Sequence, residues 1–157
     1  MGGIVASAIV APTSLFTPEM TEQLIYLITT KQNYIIDANY LDLFLRAVLC
    51  NFFINIAVLM VYQGNMQSDG LKAFALFIGV FFFVYLGLEH SVANAVLFIL
   101  GIGIDLVQGT STVLIGAATI NVIIALLGNY IGGGLGVGWL YAFLNNQKEG
   151  ESTHDSN

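Results

Sequence analysis

The chain has 157 residues, of which 57% are hydrophobic and 9% charged, where a soluble domain carries roughly 45–50% and about 25%. So few charged groups cannot cover a water-facing surface, and the composition specifies an integral membrane protein. A net charge of −6 argues against nucleic-acid binding and against a polybasic membrane-surface anchor. The single cysteine, Cys50, excludes a disulfide framework and a cysteine-based metal site. At this length one domain is expected, a single membrane domain over 1–157 with a polar tail at 145–157. Met1 leads directly into Gly-Gly and an apolar run, without the basic region of a signal peptide.

In chain order, Gly2 to Phe16 is apolar but too short to span, and Pro12 breaks it; it reads as the outer end of a helix. Thr17-Pro18-Glu19 is a helix start, with Thr as N-cap, Pro in the first turn and an acid at the positive dipole end. Leu24, Ile25, Leu27 and Ile28 then give an apolar side, which fits a short interfacial helix and a surface connector equally well. The first full span runs from about Leu43 to Tyr62, interrupted only by Arg46, Asn51 and Asn55. The loop Gln63 to Gly70, QGNMQSDG, is rich in turn residues and belongs in water. The second span, about Ala73 to Ile104, is too long for one plain crossing and is interrupted at GLEHSVAN, Gly87 to Asn94. Asp105 to Thr112 reads as a loop on the opposite side. The third span, about Val113 to Phe143, holds Gly128, Gly132 and Gly136 at four-residue spacing, a pattern for close helix packing in lipid. Lys31 and Arg46 lie toward one face and Lys72 and Lys148 toward the other, so the positive-charge bias leaves orientation tied.

Glu89 and His90 are the informative residues. An ionisable group at membrane depth costs at least ~2.5–3.5 kcal/mol, so it lines a watery path or pairs within the protein. Neighbours on a helix point about 100° apart and would not meet if the helix were regular, but Gly87 makes a break plausible. A broken hydrophobic segment at its ionisable residues points to a transport site; a Glu–His pair that only fixes packing is the bland alternative. Asn51, Asn55, Asn94, Asn121 and Asn129 each need hydrogen-bond partners. Singly they suit interhelical glue, and together they suggest a shared polar interior. Phe81, Phe82, Phe83 and Tyr85 are ordinary lipid-facing or core aromatics, or else a narrow apolar neck before His90. If the helix holds, the seven residues between Phe83 and His90 make about two turns and put both on one face. With His154 in the tail, no metal or nucleophile cluster exists, so neither an enzyme nor a cofactor is expected.

Three of these segments resemble the formate/nitrite transporter family. GLEHSVAN is similar to the signature of its fifth helix, FLRAVLCNFFINIAVLM to its fourth, and NVIIALLGNYIGGGLGVGWLY to its sixth; Lys72 fits the head of the long segment. The resemblance implies an all-α membrane fold, half of an aquaporin-like six-helix inverted-repeat channel with a broken central helix, assembled as a pentamer in the bacterial cytoplasmic membrane. It implies a pore for small monovalent anions such as formate or nitrite, linked to protons through His90. Asn51 lies near that histidine and Phe83 at a constriction, while Glu89, Asn94, Asn121, Asn129 and Lys72 form the bracing polar network. Where the family has prolines this chain has Gly79, Ile99 and Ile124, and the Phe before Glu-His is Leu88. The family's first repeat, with the opposing constriction, has no counterpart. The expectation is therefore a fragment or split subunit of an anion channel, or alternatively a non-transporting half that assembles with or regulates a complete channel. The tail is expected in the cytoplasm. An aquaporin-like neutral-solute pore is disfavoured by the lack of paired Asn-Pro-Ala motifs.

Overall fold

The computed structural model describes residues 17–62 and 68–143, and all their regular structure is helical. The expectations for Gly2 to Phe16, most of the loop after Tyr62 and the tail lie outside the described residues. Helix α1, Pro18–Ile36, starts as its sequence indicates: the Thr17 side chain accepts from the Met20 N–H at 3.3 Å. Hydrogen bonds from its own backbone N–H and from Thr17 hold the Glu19 carboxyl below the usual range. One stripe of α1, Leu24, Ile28 and Gln32, is buried, which a surface connector would not show. Helix α2, Tyr40–Tyr62, is 23 residues, about 35 Å long and enough to cross a hydrocarbon layer of about 30 Å.

The long second apolar stretch is two helices, α3 at Asp69–Tyr85 and α4 at Ser91–Gln108. The break is narrower than GLEHSVAN and ends at His90, so Asn94 lies inside α4. The last span is helix α5, Ile115–Asn129, continued by a π-helical segment over Tyr130–Trp139. Tyr40–Tyr62, Ser91–Gln108 and Ile115–Phe143 are long and apolar enough to span, with only 17%, 28% and 33% of their apolar windows buried. Apolar surface left outward on this scale requires a hydrocarbon solvent, and the chain is an all-α membrane protein.

Contacts cluster into two compact units, the described parts of which are 17–45 with 89–126, and 46–62 with 68–88 and 127–143. In the first, Leu24, Ile28, Phe98, Ile104, Val113 and Ala118 form the core. Gly101 is a notch in α4, since a Cβ there would stand 2.7 Å from Val113 Cγ2 and against Ile28. The loop after α4 differs from expectation. Gly109 closes the helix at φ 69°, and the chain turns back so that Val113 reaches the level of Gly101, about two turns up α4. In the second unit glycines let backbones meet: a Cβ on Gly132 would collide with the Val48 carbonyl, and one on Gly79 would lie 2.8 Å from Ala57 Cβ.

Candidate functional site: the helix break and its polar ring

Helix α3 ends in a Schellman motif. Gly87 sits at φ 59°, Gly87 N–H donates to Val84 O at 3.1 Å and Leu88 N–H to Phe83 O at 3.0 Å. Only a residue without Cβ adopts that φ without strain, which is why the break falls on this glycine. Arg46 adds a bond from its guanidinium to the Leu86 carbonyl at 3.3 Å, a cation at the negative end of the helix. Helix α4 then begins with His90 as N-cap, its Nδ1 accepting from the Ala93 N–H at 3.4 Å. A ring whose Nδ1 accepts carries its neutral-state proton on Nε2. The helix does not hold between Phe83 and His90, so the two are not two turns apart on one helical face.

Within the first unit four side chains close a ring. Lys31 Nζ meets Glu89 Oε1 at 2.8 Å, and Asn94 Nδ2 donates to Glu89 Oε2 at 2.6 Å and to Asn121 Oδ1 at 2.9 Å. Asn121 Nδ2 returns to the Lys31 carbonyl at 2.9 Å. Glu89, Asn94 and Asn121 are buried, and Glu89 is 2% exposed. Such a carboxylate is tolerated only with a counter-charge and filled lone pairs. Here the ammonium supplies the first and Asn94 helps with the second.

The remaining candidates stand elsewhere. Asn51 and Asn129 belong to the second unit, where Asn51 Nδ2 donates to Asn129 O at 3.1 Å and Asn129 Nδ2 to Ala47 O at 2.8 Å. Phe83 is half-buried in the same unit, and its carbonyl takes part in the Schellman motif. Lys72, expected in the bracing network, is not in the ring: it pairs at 3.0 Å with Asp69, whose side chain is 97% exposed. The lysine that neutralises Glu89 is Lys31, which the sequence placed only as a charge toward one membrane face. Its signal was the stripe Leu24–Ile28–Gln32, which runs beside Lys31 into the protein. Among the described residues no group of three or more His, Cys, Asp or Glu could hold a metal ion.

The described residues are thus those of a helical membrane protein with a helix break at Gly87, after which Glu89 pairs with Lys31 and His90 caps α4. The chain belongs to the formate/nitrite transporter family, whose model matches residues 1–143. It is 31% identical over 146 residues to the uncharacterized transporter YwcJ of Bacillus subtilis, covering 92% of this chain and 54% of that protein. It is 36% identical over 108 residues to the formate channel FocA of Escherichia coli K12, covering 60% of this chain and 37% of that one. The formate channel FocA of Haemophilus influenzae is 29% identical over 119 residues, 67% of this chain and 41% of that protein. The chain thus spans about half the length, or less, of these relatives.

Proposed function

We propose that the chain forms part of a channel or transporter for small monovalent weak-acid anions such as formate or nitrite, linked to protons through His90. The observation that carries this is the helix break itself, where Glu89, buried and paired with Lys31 of α1, and the capping His90 stand two and three residues after Gly87.

A bare carboxylate is strongly disfavoured in an apolar interior. The N-terminal end of α4 carries about half a positive charge, and the Lys31 ammonium is held in the same unit. Because Glu89 balances Lys31, the centre attracts an anion through dipoles and a polarised pair, not through a trapped net charge. That is weak enough binding for the ion to leave again. His90 Nε2–H is a donor for an anion oxygen. Transfer of a proton to the anion requires the imidazolium, and forming it breaks the bond from Ala93 and adds positive charge at the positive end of α4. An arriving anion offsets that cost, so anion and proton bind together.

By family resemblance, Asn51 and Phe83 are pore-lining residues, the family's first repeat completes the aquaporin-like wall, and five protomers assemble in a bacterial cytoplasmic membrane. The test is formate and nitrite flux against external pH in proteoliposomes of the native assembly. His90→Asn keeps a hydrogen-bonding group but cannot exchange a proton near neutrality, and it should abolish the stimulation of uptake at mildly acid pH. An unchanged pH profile would make His90 structural, and absence of saturable flux in the wild type would overturn the transport reading.

A further inference from the structure

Helix α1 enters the first unit through Leu24, Ile28 and Gln32, one turn apart on one face. Gln32 is the polar member of this stripe and is 3% exposed. A buried amide is costly unless both ends are bonded, and both are. Gln32 Nε2 donates to Thr112 O at 3.1 Å, and Oε1 accepts from Leu114 N–H at 2.5 Å. From the other side the Asp105 carboxylate accepts from Thr112 and Val113 N–H, each at 2.9 Å. Three successive backbone donors of the folded-back segment therefore end on side chains of α1 and α4. Non-helical backbone at membrane depth is tolerated only where the protein meets its polar groups in this way.

The residue before Gln32 is Lys31, whose ammonium holds Glu89 and whose carbonyl accepts from Asn121. Adjacent helical side chains diverge by about 100°, so a rotation of α1 that releases one contact releases the other. We propose that Gln32 is the positioning residue for the Lys31–Glu89 pair. By gripping Thr112–Leu114 with both ends of its amide, it fixes the rotation and height of α1 and so delivers the ammonium to the helix break. Gly101 keeps the fit tight, because Ile28 and Val113 close over a position with no room for a Cβ.

Lysine reactivity tests this without any assumption about transport; the flux arm rests on the anion reading. In the native assembly, reductive methylation with 13C-formaldehyde is followed by NMR, the Lys31 signal being assigned by its loss in Lys31→Arg. Gln32→Leu fills the volume but offers no hydrogen bond, and it should raise the Lys31 methylation rate about tenfold, the equivalent of one lost hydrogen bond, with Lys72 unchanged. In proteoliposomes the same variant should raise the half-saturating formate concentration several-fold. It should add nothing in a Lys31→Met/Glu89→Gln background, as residues acting through one network are non-additive. An unchanged Lys31 rate, or losses that simply add, would overturn the proposal. Should Gln32→Leu not assemble, Gln32→Asn keeps the amide but is one methylene too short to hold both partners, and must show the same pattern. Absence of wild-type formate flux would remove the transport reading while the methylation result still decides the role of Gln32.

Discussion

Asparagines do different work in the two units. In the first, Asn94 and Asn121 bond to a carboxylate and to each other, with one return to a backbone carbonyl. In the second, Asn51, Asn55 and Asn129 each donate to main-chain carbonyls of Asn129, Asn51 and Ala47, beside glycines pressed on the α2 backbone. A side-chain ring that contains charges depends on which groups are ionised and can respond to an arriving ion. A clamp onto backbone depends on volume and barely on charge. The first unit is therefore where chemistry is sensitive, and the second is where close approach is enforced.

That contrast is broken most severely by removing one charge of the ring. Lys31→Met leaves the buried Glu89 without its counter-ion and should cost about 3–5 kcal/mol. The loss is measurable as a lowered melting temperature of the assembly in mild detergent. Volume should decide in the second unit. Gly132→Ala pushes a methyl into the Val48 carbonyl and should cost about 1–3 kcal/mol, the same at every pH in the same melting experiment. The smallest effect belongs to Lys72. Its partner Asp69 lies in solvent, so Lys72→Ala should change stability by less than about 0.5 kcal/mol and leave formate flux unaltered.

The break at Gly87 and the polar character of Glu89, Asn94 and Asn121 were legible because ionisable and amide groups in an apolar run have few tolerable placements. The spans were legible from the length of their apolar runs. Lys31 was not, because a lysine on an amphipathic helix can as readily reach to the interface as turn inward, and only the tertiary position of Glu89 decides. Lys72, at the head of an apolar stretch, gives the same local signal with the opposite outcome. The glycine spacing correctly announced close approach, as Gly132 on Val48 shows, but nothing local in YIGGGLGVGW distinguishes π-helical from α-helical turns. Asp105 to Thr112 reads as an ordinary loop and Val113 as the start of the third span, because nothing local shows that Asp105 and Gln32 hold the backbone of Thr112 to Leu114.

If Lys31 and Glu89 act as one neutral unit at the helix break, a double-mutant cycle reveals it. Melting temperature and formate flux are compared for wild type, Lys31→Met, Glu89→Gln and the double variant. The pair predicts that the double variant is more stable than Lys31→Met, because no buried charge is left alone, and that both single losses of flux are as large as the combined one. Additive losses in stability and flux would show that the two residues act separately, and would contradict the account.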